Sequence, residues 1–102
     1  MRTITVTTQQ YNVIEDYVNA SLLDMNLMYS DVYNEAFTND EYSDITSSMS
    51  SICWILDNAL KRVLGETLYD IFKEAETEAG EYESFCEIDM DTLKKYITIE
   101  VR

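Results

Sequence analysis

The sequence predicts an α+β protein, mostly α, with three or so amphipathic helices and a small sheet formed by an N-terminal and a C-terminal strand. Three observations carry this. The 102 residues include no proline and only two glycines, Gly65 and Gly80, too few turn formers for a sandwich or barrel. At both ends of the chain apolar and polar residues alternate, the period of a half-buried strand. Between the ends, apolar residues recur every three or four positions, the period of a helix. The length suits a single domain over residues 1–102 with one modest core. A hydrophobic content of 46% separates it from disordered chains.

Each element has its own signal. Ile4 and Val6 alternate with Thr3, Thr5 and Thr7. Thr7 and Gln10 have capping-box spacing, and Val6 and Tyr11 sit where a hydrophobic staple pairs, so a helix begins there. Its stripe runs through Tyr11, Ile14, Val18, Leu22, Met25, Tyr29, Val32 and Ala36, with a break expected near Ser30. Leu23 and Leu27 lie off that stripe and mark a second face. Thr38 and Glu41 repeat the capping box, flanked by Phe37 and Tyr42. The stripe behind it is Tyr42, Ile45, Met49, Ile52, Leu56, Leu60 and Val63. Serine-rich residues 46–51 are poor helix formers and predict a break or kink. Gly65 stops this helix, and Lys61 and Arg62 complement its dipole. A third helix turns Leu68, Ile71, Phe72, Ala75 and Ala79 inward and ends at Gly80. Residues 82–88 read as a short strand, and Asp89 or Asp91 caps a short helix containing Leu93 and Tyr96. Ile97, Ile99 and Val101 alternate with Thr98 and Glu100 as the last strand.

Composition then narrows function. Twenty acids stand against seven bases and no histidine, a net charge of −13. A magnitude of about 2–8 suffices to keep a small domain soluble. The excess repels phosphates, which disfavours direct binding of nucleic acid or an anionic membrane, and it points to a basic protein partner. No apolar run approaches the roughly 20 residues of a membrane span, and the first residues lack a signal-peptide core. Cys53 and Cys86 match neither a disulfide framework nor a zinc site. A cytoplasmic protein with reduced thiols, in a bacterium or an infected host cell, is the expectation.

Catalysis is not expected. Without histidine the usual general base and the Ser-His and Cys-His arrangements are missing, and the chain lacks a glycine loop for phosphates. Paired glycosidase carboxylates need a larger cleft than this length builds. Glu87, Asp89 and Asp91 place oxygen ligands on alternate residues, as calcium prefers. The glycine and distal glutamate of a calcium loop are absent, and helix capping accounts for Asp89 or Asp91. Neither metal nor cofactor is expected.

The strongest feature is the distribution of acids. From Glu74 to Asp91 the chain carries Glu74, Glu76, Glu78, Glu81, Glu83, Glu87, Asp89 and Asp91 and no base. Glu66, Asp70 and Glu74 follow one another at four-residue spacing on the third helix, opposite Leu68, Ile71 and Ala75. Successive carboxylates rise by about 6 Å along the axis, comparable to the distance between neighbouring phosphates of a nucleic-acid strand. Eight tyrosines accompany them. Tyr11, Tyr29 and Tyr42 fit core stripes, whereas Tyr17, Tyr33, Tyr69 and Tyr82 lie beside acids and suit interface anchors. The candidate partner-binding residues are Glu66, Asp70, Glu74, Glu76, Glu78, Glu81 and Glu83, with Tyr69 and Tyr82.

Two resemblances bear on this. Thr3-Ile4-Thr5-Val6-Thr7, followed by Gln10-Tyr11 and Ile14-Glu15, resembles the opening of a ribbon-helix-helix DNA-binding subunit, which implies a strand reading the major groove from a basic surface. Arg2 is the sole base before Lys61 and the following helix runs too long for that fold, so no residue role is carried over. As a type, a small, acidic, tyrosine-rich domain is similar to virus-encoded anti-CRISPR or anti-restriction nucleic-acid mimics. That likeness implies an inhibitor occupying the basic site of a nucleic-acid-binding enzyme. The alternative is a structural or assembly protein, a homodimer through its long first helix with Leu23 and Leu27 in the interface.

Overall fold

The computed structural model describes residues 2–102. The chain runs from β1 (Arg2–Val6) through four helices, α1 (Thr8–Tyr29), α2 (Asp31–Ala36), α3 (Asn39–Leu64) and α4 (Glu66–Tyr82). One 3-10 turn (Phe85–Glu87), the short α5 (Met90–Leu93) and β2 (Ile97–Val101) complete it. The strands pair in parallel, with Arg2 opposite Ile97, Ile4 opposite Ile99 and Val6 opposite Val101. The fold is therefore α+β and mostly α, and its sheet joins the two terminal strands. A two-stranded sheet is marginal alone in water. Here Ile4, Val6 and Ile97 are buried together with Ile14 and Val18 of α1, Leu60 and Leu64 of α3, Phe72, Ala75 and Ala79 of α4, and Leu93 of α5.

Both long helices start where the capping boxes stand. The Thr7 hydroxyl accepts from the Gln10 amide at 3.1 Å and the Gln10 side chain accepts from the Thr7 amide at 2.8 Å. Thr38 and Glu41 repeat this at 3.2 and 2.9 Å. Ser30 ends α1 and begins α2, the expected break. Gln10 Nε2 donates to the Val63 carbonyl at 3.1 Å and the Tyr42 hydroxyl to the Met28 carbonyl at 3.1 Å. These two bonds tie opposite ends of α1 and α3, so the helices run antiparallel. Their far ends extend beyond the core as a two-helix arm in a molecule of 44 × 26 × 18 Å.

Several expectations are corrected. Residues 46–51 do not break α3, which runs unbroken from Asn39 to Leu64, because packing along α1 overrides weak propensity; within it the Thr46 hydroxyl donates to the Tyr42 carbonyl at 2.8 Å. Gly80 does not end α4, which continues to Tyr82. A Cβ on Gly80 would stand 2.9 Å from the Phe85 ring, so this glycine serves a close approach. Residues 82–88 form no strand, since β1 and β2 pair only with each other. The short helix stops at Leu93, before Tyr96. The α1 stripe outruns the core, leaving Tyr29 and Val32 exposed. Tyr17 is buried, as is Leu27, whereas Leu23 is 46% exposed. Leu23 and Leu27 therefore do not form one outward surface.

Two positions store free energy unfavourably. Gly65 joins α3 to α4 at φ 81° and ψ 162°, a conformation essentially restricted to glycine. Asp24, facing the interior of the arm, is buried, and its Oδ1 has no hydrogen-bond partner. Burial alone raises its pKa above the usual 3.8, because the charged form is the one desolvation penalises.

Gly65→Ala is expected to cost about 1–3 kcal/mol in chemical denaturation, although nothing lies within 4 Å of the added Cβ. A cost near zero would mean that the junction can relax. Asp24→Asn is expected to stabilise by about 1 kcal/mol at pH 7. The penalty it removes is complete above the raised folded pKa and vanishes below the unfolded one. The advantage should therefore shrink as pH falls into the ordinary carboxylate range. A pH-independent difference would contradict this origin.

Candidate partner-binding face on α4

α4 docks through Phe72, Ala75 and Ala79, all fully buried. Alanines at this spacing let the helix backbone approach its neighbours closely, and they turn the opposite side to solvent. Glu66, Asp70, Glu74 and Glu81 are exposed on that side. From Glu66 to Glu81 the row extends about 22 Å at the helical rise. Asp70, Glu74, Glu78 and Glu81 line one side of a surface groove of 680 Å³ together with Arg2, Lys73, Thr77 and Tyr82.

The candidate residues separate into three groups. Glu66, Asp70 and Glu81 point outward without a salt bridge among the described residues. Glu74 and Glu78 flank the row on the sheet side and hold Arg2 of β1. The Arg2 Nε lies 3.5 Å from Glu74 Oε2, and its Nη1 donates to Glu78 Oε2. Glu76 and Glu83 face elsewhere: Glu83 accepts from Lys95 at 3.1 Å, while Glu76 turns inward beneath the row.

Glu76 belongs to a half-buried network that sequence reasoning did not anticipate. Lys73 Nζ stands 2.7 Å from Glu76 Oε1 and 3.2 Å from Asp57 Oδ1 of α3, and it donates to the Tyr17 hydroxyl at 2.8 Å. Tyr17 donates to Glu76 Oε1 at 3.1 Å. Burial alone would lower the Lys73 pKa, but the hydrogen bond and charge of Glu76 outweigh it and hold the ammonium well above its usual value. Burial, reinforced by the Glu76 charge, pushes Tyr17 up to about 12. Tyr69 joins from the side, donating to both Asp57 carboxylate oxygens at 3.0 Å, with Lys61 5.7 Å and Lys73 5.8 Å from its ring centre. Tyr69 is thus engaged within the chain. Tyr82 is 71% exposed and stacks on Tyr96 at 6.5 Å, a flat aromatic surface at one end of the groove.

The signal for this network was faint. Lys73 falls outside the acidic register, and Asp57 interrupts an otherwise apolar stretch of α3; both are polar residues on packed faces. A second concavity of 480 Å³, lined by Leu22, Met25, Gly80, Phe85, Ile88 and Leu93 among others, also escaped the sequence. It forms because the 3-10 turn lays Phe85 against Gly80. Asp89 caps α5 by accepting from the Thr92 amide at 2.8 Å. Among the described residues no group of three or more His, Cys, Asp or Glu is placed to hold a metal ion, and no helix is long and apolar enough to cross a membrane. Cys53 and Cys86 are free, half-buried thiols. The face therefore offers fixed negative charge, one exposed tyrosine stacked on a half-buried one, and two cations already held by carboxylates. Comparison with protein-family models, curated proteins and solved structures finds no match.

Lys73→Met is expected to destabilise by about 2 kcal/mol, because it strands Asp57 and Glu76 without their shared cation. Thermal denaturation measures it. A change below about 0.5 kcal/mol would reduce the network to an ordinary surface cluster.

Proposed function

We propose that this chain is a small cytoplasmic binding protein that occupies a basic, nucleic-acid-type site on another protein. In this reading it is an inhibitor of the anti-CRISPR or anti-restriction type, with the character of a virus-encoded protein, and not an enzyme. One observation carries the reading: the row of Glu66, Asp70, Glu74, Glu78 and Glu81 stands on a single rigid helix face, and the cations beside it, Arg2 and Lys73, are paired with carboxylates of the chain. A row of anions at fixed spacing competes with phosphates for Arg and Lys. The helix backbone fixes the spacing of the row, and the two carboxylates that Arg2 holds, Glu74 and Glu78, lose little further entropy on binding. Arg2 draws Glu74 and Glu78 together and fixes their direction while removing part of their charge. Tyr82, stacked on Tyr96, supplies an aromatic contact at the end of the row, and Glu66, Asp70 and Glu81 contribute the free charge.

The combined variant Glu66→Lys, Asp70→Lys, Glu81→Lys tests this. None of the three holds an internal salt bridge among the described residues, and Glu66 contributes a first-turn dipole interaction. The stability loss should stay below about 1 kcal/mol. Proteins retained from a lysate by the wild-type chain should be basic nucleic-acid enzymes, displaced by added duplex DNA or RNA and by rising salt. The variant should bind them at least about tenfold more weakly. Retained proteins that are neutral, indifferent to salt and equally bound by the variant would exclude the reading.

A further inference from the structure

The outer side of α3 departs from the rest of this acidic surface. No charged residue lies between Asp44 and Asp57. Within that stretch Trp54 is 68% exposed, Ile55 58% and Ile52 44%, and Ser47, Ser48 and Ser51 are exposed beside them. α1 covers the opposite side, where Met49 and Leu60 are buried. α4 reaches only the flank near the C-terminal end, through Tyr69 and Asp57. At helical spacing, Ser47, Ser51 and Ile55 fall on one line, with Trp54 beside it. Charge returns at both ends of the same side, with opposite sign: Asp40 and Asp44 at the start and Arg62 at the finish, with Glu41 and Lys61 on its two flanks, all exposed.

That pattern is complementary to itself when reversed. Asp40 and Arg62 each stand eleven residues from Ser51, Glu41 and Lys61 ten, Ser47 and Ile55 four, and Ser48 and Trp54 three. We propose that α3 pairs with α3 of a second copy of this chain, antiparallel, about a two-fold axis at Ser51. In this dimer Trp54 and Ile55 pack over the partner's Ser48 and Ser47, Asp40 meets the partner's Arg62, and Glu41 and the partner's Lys61 lie at the rim of the contact. A closed two-fold contact is isologous, so each feature is used twice. The small side chain on the axis permits close approach of the helices, and Trp54 is the anchor. The end charges set direction: a parallel pairing would bring acid against acid and base against base. The same ends disfavour other occupants, since a basic partner meets Lys61 and Arg62 and an acidic one meets Asp40 and Glu41. The contact involves none of the α4 acids and does not rest on the function proposed for them.

Sedimentation equilibrium of the whole chain, over roughly 1–300 µM, reads the outcome directly. The mass should rise with concentration from 11.9 kDa toward twice that value. Trp54→Glu, at an exposed position, should weaken self-association at least about tenfold with unchanged circular dichroism. Arg62→Glu should weaken it too, and adding Asp40→Arg to that variant should restore it, because the ion pair re-forms with its signs exchanged. The charge-reversed α4 variant should remain a dimer. A mass of 11.9 kDa at every concentration would falsify the proposal. So would a dimer that survives Trp54→Glu but is lost with Leu23→Glu, which places the contact on α1. Failure of Asp40→Arg to rescue a folded Arg62→Glu chain overturns the antiparallel register.

Discussion

Parallel pairing of the first and last strands is the constraint on which the rest of this molecule depends. Two parallel strands cannot be joined by a tight turn and need a long crossover; here the crossover contains every helix. The pair holds only because Ile4, Val6 and Ile97 are sealed from water by the helices. Phe72, Ala75 and Ala79 make that seal from α4, and Ile14 and Val18 from α1. Once α4 is docked through its alanines, its orientation is decided. Its acidic side faces outward, Arg2 arrives beside Glu74 and Glu78 from the paired strand, and Lys73 is directed toward α1 and α3.

This docking also organises the charge. A net charge of −13 opposes compaction by self-repulsion. The fold sets three of its bases where they act on several acids or on a packed junction. Arg2 bridges two glutamates of α4, Lys73 bridges α3 and α4 through Asp57 and Glu76, and Lys95 ties the end of the chain to Glu83. Apart from Asp24, the remaining acids keep contact with solvent, which screens their repulsion. Stability and a negative exterior coexist because the cations sit at junctions between elements while the outer helix faces carry few of them.

The arm formed by α1 and α3 follows a different logic. Beyond the core α1 is backed by the 3-10 turn at Met25 and Asn26 as well as by α3, whereas the outer side of α3 keeps apolar residues that its neighbours do not cover. Leu27 and Met49 are buried there, while Leu23, Ile52, Trp54 and Ile55 remain exposed. Asp24 is buried with its Oδ1 lacking a hydrogen-bond partner, an uncommon arrangement for a carboxylate oxygen. The arm is thus the least self-sufficient part of the fold, and its outer side is where a further protein surface gains most by covering it.

Much of this was legible in the sequence alone. Helix starts at Thr7 and Thr38, the stop at Gly65, the break at Ser30, the Asp89 cap and both terminal strands follow from local rules, because capping and periodicity act within a few residues. The outward placement of Glu66, Asp70, Glu74 and Glu81 follows from the same periodicity. Local rules failed where a distant contact decided the outcome. Gly80 stands inside α4 because Phe85 lies where a Cβ would be, the serine run stays helical because α1 supports it, and Tyr17 is buried because Lys73 and Glu76 satisfy its hydroxyl. Glu76 leaves the acidic row and Glu74 and Glu78 acquire Arg2 for one reason: ion pairs form between residues far apart in sequence, and only the packed chain brings them together. Local capping and periodicity settle both strands, the starts of the long helices and the sign of the surface; which carboxylates remain free depends on where seven cations come to rest, and only the packed chain decides that.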